Sequence, residues 1–278
     1  MLGFALHRKL HDSGFKVTGS IRSGDTASAR WARGLDYVRG VSIGDFDAVS
    51  EAVDRRQPDV VVNATGVRSL DSVNGNWSTL LAVNSTFPRQ LGQLCESRGI
   101  RFVHFSSDGV FSGSRGNYAE SSRPDATDAY GVSKYLGEVQ TATALVLRLS
   151  MLGRGVVSKH SLVDWYLAQS GVVRGYRRSV FSGLPVNEIA NVLQRVLTAQ
   201  TPMSGLFHLA AAPISKFDVL NLLRSAWPGA AVIEPDDSVA LDRSLDASRL
   251  NSKIGYRPPS WPQLIAEMHS FYEGLESR

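Results

Sequence analysis

Val60-Val61-Val62-Asn63 is a short β-branched run, Thr79 to Arg98 an amphipathic stretch, and Arg101-Phe102-Val103-His104-Phe105-Ser106 a second apolar run. A short continuous apolar run reads as a strand covered on both faces, and a longer stretch with helical spacing as the crossover that covers it. Strand, helix and parallel strand make one βαβ unit. The rhythm extends both ways. Upstream lie strand candidates Lys16–Ile21 and Val38–Ile43 and the helical stretch Phe46–Arg56; downstream lie the helical stretch Tyr130–Thr141 and strand candidates Ala144–Leu149 and Gly205–Ala210. Asp45 and Asp47 offer N-capping chemistry to the first helix, and Gly99 suits the C-terminal end of the second. The pattern predicts a doubly wound, parallel α/β sheet.

After Met151 the alternation loosens. Residues 151–185 and 211–278 carry helical segments, turns and the Pro258–Pro259 pair. Such material builds a smaller lobe beside the carboxyl edge of a sheet, where ligands bind. The expected division is a nucleotide-binding domain over 1–150 with about 186–210, and a partly interleaved substrate lobe over 151–185 and 211–278.

A nucleotide-binding domain of this class opens with a buried strand and a glycine-rich turn, whose backbone N–H groups reach a pyrophosphate at the helix N-terminus. This sequence reads Met1-Leu2-Gly3 and enters a helical pattern from Phe4 to His11 that ends near Gly14. The first strand and the earlier glycines are thus missing from that pattern. Two readings stand. Gly3 is the last glycine of a G-x-x-G-x-x-G turn whose other half lies upstream, or Met1–His11 is the first helix of a different sheet topology.

Composition bounds the function. The chain has 278 residues, 43% hydrophobic, 20% charged and 9% aromatic, as expected of a soluble globular protein. No apolar stretch approaches the roughly 20 residues of a membrane helix. Arg8 and Lys9 fall where the apolar core of a signal peptide would be, and Cys95, the single cysteine, suits a reducing compartment. A cytoplasmic location is expected. The net charge of +4 arises from interspersed signs, with one local cluster at Arg174, Arg177 and Arg178. That excludes the basic stripe of a nucleic-acid binder. Histidines and carboxylates show no zinc spacing, so no metal site is expected. His104, inside an apolar run, reads as a core histidine.

The chemistry lies in Tyr130-Gly131-Val132-Ser133-Lys134, downstream of Ser106-Ser107-Asp108. A tyrosine and a lysine four apart on a helix share a face. An ammonium near a phenol favours the phenolate and makes it a usable acid at neutral pH. A serine at the end of the preceding strand can hydrogen-bond the same substrate oxygen. Together these suit proton donation to a carbonyl as hydride arrives from a nicotinamide.

The run His104-Phe105-Ser106-Ser107-Asp108-Gly109-Val110-Phe111, followed by Tyr130-Gly131-Val132-Ser133-Lys134-Tyr135-Leu136-Gly137-Glu138, resembles the extended short-chain dehydrogenases/reductases. Within them it is most similar to the dTDP-4-dehydrorhamnose reductases and related sugar-nucleotide reductases. Val61-Val62-Asn63-Ala64, Val83-Asn84, Phe207-His208-Leu209-Ala210 and Ser244-Leu245-Asp246-Ala247-Ser248-Arg249-Leu250 extend the likeness along nearly the whole chain.

The resemblance implies a Rossmann-like fold, with NADPH or NADH as cofactor and a sugar nucleotide as substrate. A second copy of the chain is admitted as a partner, and neither nucleic acid nor membrane is. By position, Tyr130 would be the proton donor, Lys134 would hold the nicotinamide ribose and tune Tyr130, and Ser107 would orient the oxygen, with Ser106 as fallback. Gly3, Asn63, Ala64, Gly66 and Asn84 would line the cofactor, Asp45 would approach its adenine, and Arg22 would meet a 2′-phosphate. Asp108 would face the sugar, and Arg174 and Arg177 suit a diphosphate; Lys159, His160 and Arg178 lie in the same lobe. Gly109 stands where these reductases usually carry a tyrosine facing the sugar. The same resemblance admits a rival: a homologous branch serves as the regulatory subunit of methionine adenosyltransferase, so the fold can bind a nucleotide without catalysis.

Overall fold

The structure, a computed structural model, describes residues 1–21, 34–68, 75–155, 161–229 and 231–277. Arg22, Trp31, Lys159 and His160 lie outside the described residues.

The chain opens with helix α1 (Leu2–Asp12), then strands β1 (Thr18–Ile21) and β2 (Asp36–Arg39), helix α2 (Phe46–Arg56) and strand β3 (Val60–Asn63). Next come α3 (Trp77–Leu81), a π turn (Ala82–Thr86), α4 (Phe87–Ser97), β4 (Arg101–Ser107), α5 (Ala129–Leu136) and β5 (Ala144–Leu149). The remainder is β6 (Met151–Leu152), α6 (Leu162–Leu167), β7 (Val172–Tyr176), β8 (Ser179–Phe181), β9 (Leu184–Pro185), α7 (Val186–Thr198), β10 (Gly205–His208), β11 (Ile214–Ser215), α8 (Lys216–Ala226), β12 (Val232–Asp236), β13 (Leu241–Asp242), α9 (Ser248–Ile254) and α10 (Trp261–Glu276).

The strands predicted for the parallel sheet divide between two sheets, one of β1 and β2, the other ordered β10-β5-β4-β3. β1 and β3 therefore each have one strand partner among the described residues. Beside β1, the rings of His7 and Tyr37 meet edge to face at 4.7 Å. Gly19 leaves them room: a Cβ there would stand 2.7 Å from Tyr37 and 2.8 Å from His7. α1 lays Leu2, Ala5, Leu6 and Leu10 into the main core, which also takes Val103, Phe105, Leu145 and Leu147 from the sheet and Ile189, Leu193 and Leu264 from the C-terminal helices. Val49, Phe87, Leu91, Cys95, Phe102 and Val146 form a second cluster on the other face. Layers of helix on both faces of a parallel sheet are the predicted α/β architecture.

Some boundaries moved, for identifiable reasons. β2 ends at Arg39 because Gly40 takes a positive φ of 78° and turns the chain toward Asp45, whose carboxylate accepts from Ala48 N at 3.0 Å as the cap of α2. The stretch 79–98 is interrupted by the π turn, where one extra residue per turn rotates the face and buries Val83, Asn84 and Ser85 in succession. Gly99 closes α4 with φ 66°. α5 stops at Leu136, five residues short of the predicted end, because Gly137 packs on the Asn84 carbonyl and Glu138 turns into the core.

The described residues beyond β5 supply short strands and helices, among them the β7–β12 ribbon and the β11-β8-β13 sheet. Among the described residues no helix is long and apolar enough to cross a membrane, and no group of three His, Cys, Asp or Glu could hold a metal ion.

Candidate active site

β4 delivers two serines in opposite directions, as successive strand residues must. Ser106 Oγ points down to Glu138, donating to Oε1 at 2.7 Å. Ser107 Oγ stays at the strand end, where it accepts from Gly109 N at 3.0 Å and meets Asp108 Oδ1 at 3.2 Å. Of the two serines, Ser107 is the one beside Tyr130. α5 begins at the Asp128 cap, which accepts from Gly131 N at 2.9 Å, and brings Tyr130 onto the same spot. A Cβ at Gly109 would stand 2.9 Å from Tyr130 Cε1 and 3.1 Å from Ser107 Oγ. The bare backbone at 109 is what lets the phenol ring lie there.

Burial holds the Tyr130 phenol above its ordinary value; the Ser107 hydroxyl pulls it down, the Asp108 carboxylate pushes it up and the Arg68 charge draws it back. Lys134 Nζ donates to the Phe105 carbonyl at 2.7 Å, and burial brings it down to about 8 against the pull of Glu138. The hydrogen bond that the Lys134 amine makes is to a strand carbonyl.

Asn84, placed by the π turn, joins three elements. Its Oδ1 accepts from Val67 N at 2.8 Å, and its Nδ2 donates to Val67 O at 2.8 Å and to Ser133 Oγ at 3.0 Å. Ser85 Oγ adds a bond to Ser133 O at 2.7 Å. The turn after β3 is thus tied to α5. Asn63 closes that turn from inside, accepting from Thr65 N at 3.0 Å and contacting His104 Nδ1 at 3.2 Å. His104 is a core histidine, held well below its ordinary pKa by burial and then by the Lys134 charge.

Small residues border a cradle. Gly3, in the first turn of α1, would place a Cβ 3.4 Å from Ala64 Cβ, and one at Gly66 would stand 3.7 Å from Asn84 Oδ1. A helix N-terminus facing small residues, with Lys134 behind β4, fits a phosphate-bearing dinucleotide.

Asp108 is the third group at the strand end. Burial pushes its carboxyl up to about 6, while the Arg243 charge and bonds from Ser107, Ser150 and Gly109 N pull it down. Arg243 also lies 3.8 Å from Asp128 Oδ2, and Lys216, at the start of α8, is held down by burial and by Arg243. Nothing in the spacing of Lys216 and Arg243 pointed to this site; β13 and β11, both pairing with β8, bring them here. Arg174 and Arg177 behave otherwise. They lie exposed at the β7–β12 ribbon, Arg174 3.5 Å from Asp236 and Arg177 Nε donating to Asp237 at 2.9 Å. Each guanidinium is paired there with an aspartate at the end of β12.

A stability test follows from Asp108. Its folded value of about 6 exceeds the ordinary 3.8, so between those values the folded protein binds more protons than the unfolded chain, and stability falls as pH rises. Asp108→Asn is expected to melt several degrees higher than the parent above pH 6 and at the parental temperature below pH 4. Equal melting temperatures at both pH values would refute it.

Residues 1–269 match the family model described as RmlD substrate binding domain. A dTDP-4-keto-6-deoxy-D-glucose reductase from Streptomyces niveus is 38% identical over 214 residues, covering 72% of this chain and 73% of the relative. A protein of Haloferax volcanii named "Probable low-salt glycan biosynthesis reductase" is 28% identical over 299 residues, covering 100% of this chain and 97% of the relative. Among solved structures, a dTDP-4-dehydrorhamnose reductase from Bacillus anthracis in complex with NADP superposes with TM-score 0.76 at 17% identity, covering 93% of this chain and 100% of that one.

Proposed function

The chain belongs to the RmlD substrate binding domain family, and from that premise we propose that it reduces the keto group of a nucleotide-linked 4-keto-6-deoxy sugar with NADPH or NADH. One observation carries the reading: Tyr130 and Ser107 converge at the carboxyl end of β4 with the Lys134 amine buried behind them. That is where a parallel α/β sheet presents ligands.

Gly3, Asn63, Ala64, Gly66, Asn84 and Lys134 would hold the nicotinamide cofactor, which when bound supplies the hydride for the carbonyl carbon. Ser107 donates a hydrogen bond to the carbonyl oxygen and sets its direction toward Tyr130. As the carbon gains the hydride, the oxygen acquires negative charge and takes the Tyr130 proton, giving an alcohol and a phenolate. Ser107 has a single proton, which here lies toward Asp108 Oδ1, so the hydroxyl turns to the carbonyl oxygen for the reaction, and solvent returns a proton to the phenolate. Arg243 and Lys216 are cations beside this point, and with Arg174 and Arg177 of the β7–β12 ribbon they suit the diphosphate of a sugar nucleotide.

The test is consumption of NADPH, followed by its absorbance, with a dTDP-linked 4-keto-6-deoxy sugar and a dTDP-linked sugar lacking the ketone. Oxidation with the ketone alone is the expected outcome. NADPH binding without turnover on any such ketone would favour the regulatory reading instead.

A further inference from the structure

Behind the site runs a buried polar row that the steps above do not use. In the sheet register Ser106 of β4, Arg148 of β5 and His208 of β10 stand side by side. Arg148 is 2% exposed and Glu138 8%. Arg148 Nε and Nη2 donate to Glu138 Oε1 and Oε2, both at 2.7 Å, and Ser106 Oγ donates to the same Oε1 at 2.7 Å. Arg148 also lies 5.2 Å over the Phe111 ring and 3.5 Å from His208 Nε2. Desolvating two charges often costs more than their attraction returns, so an apolar pair would commonly serve stability as well.

The position of Glu138 suggests another use. It follows Lys134 by four residues, just past the end of α5, and the two side chains grip consecutive residues of β4: Lys134 holds the Phe105 carbonyl and Glu138 the Ser106 hydroxyl. We propose that Glu138 is a positioning residue that keeps the Lys134 amine charged inside the core and fixes the strand end bearing Ser107, with Arg148 holding both of its carboxylate oxygens in place. This rests on the reading of Lys134 as the group that holds the cofactor ribose.

The other titratable neighbours do not supply that charge. His104 on β4 is neutral, Tyr130 on α5 is an un-ionised phenol at neutral pH, and Arg148 and His208 carry no negative charge. Burial draws the Lys134 proton affinity down, and Glu138 is the group that opposes it.

The experiment is a titration of the lysine side-chain NMR signals in the cofactor-free protein, which has six lysines. The Lys134 signal is identified by its loss in Lys134→Gln. The parent midpoint is expected at about 8, and Glu138→Gln is expected to lower it by about one pH unit or more. Should Glu138→Gln fail to fold, the double variant Glu138→Gln/Arg148→Met leaves no buried charge in the pair and is expected to show a smaller fall in the same direction, because the nearby guanidinium that repels the amine goes with the carboxylate. In the double variant, where no unpaired guanidinium remains, a merely structural role moves no midpoint, and an unchanged midpoint in either folded variant overturns the proposal. NADPH affinity across the same pH range separates the two readings. A midpoint that falls while affinity ignores the Lys134 titration upholds Glu138 as a positioning residue and removes Lys134 from cofactor binding.

Discussion

Tyr130→Phe is expected to lose between roughly a hundredfold and ten-thousandfold in turnover, the span of general acid catalysis, while binding NADPH as tightly as the parent. The variant removes one oxygen and keeps the ring that lies against Gly109, so packing at the strand end is preserved. What disappears is the proton that the carbonyl oxygen must gain as its carbon is reduced. Ser107 cannot replace it, because its hydroxyl is far less acidic than a phenol, and the Lys134 amine is engaged at the Phe105 carbonyl. Steady-state rates, with cofactor binding followed by fluorescence, check both halves of the expectation. A near-parental rate would remove Tyr130 from the chemistry; lost NADPH binding would make its role one of cofactor support.

Gly137→Ala is expected to cost about 3 kcal/mol or more, at the upper end for overpacked sites. The φ of Gly137 is −88°, which any residue adopts, so space and not conformation requires glycine. A Cβ there would overlap the Asn84 carbonyl oxygen and stand 2.9 Å from Asn84 C and 3.2 Å from Pro88 Cγ. Neither a backbone carbonyl nor a proline ring can swing aside, so α5 and the π turn must separate. The bonds from Asn84 and Ser85 to Ser133 would lengthen, and with them the tie from the Asn63–Val67 turn to the helix bearing Tyr130 and Lys134. Urea unfolding read alongside activity tests this: both should fall together, and a variant with the parental midpoint would refute it.

Much of the architecture was legible from one dimension. Runs such as Val60–Asn63 and Arg101–Ser106 carry a strand's apolar continuity, and α2 begins and ends where Asp45 and the helical period place it. The π turn was not legible, because an inserted residue leaves the apolar period of 79–98 nearly intact while rotating Asn84 into the core. Nor was the end of α5 at Leu136, since the Gly137 contact is with a carbonyl 53 residues away in sequence. The place of Arg243 and Lys216 beside Asp108 has the same origin. Charge in a sequence says that a cation exists, and only strand pairing says which carboxylate it faces.

Sequence by itself determined which chemical groups the protein owns at the end of β4: a phenol, a hydroxyl, a carboxyl and an amine on adjoining elements, because strand period and helix spacing are properties of neighbouring residues. The tertiary structure alone decided how those groups are wired. It sent the Lys134 amine to a strand carbonyl, put Ser107 beside the phenol, and buried Glu138 against Arg148. Hydrogen-bond partners and desolvation depend on atoms brought together across dozens of residues, and no local pattern encodes them.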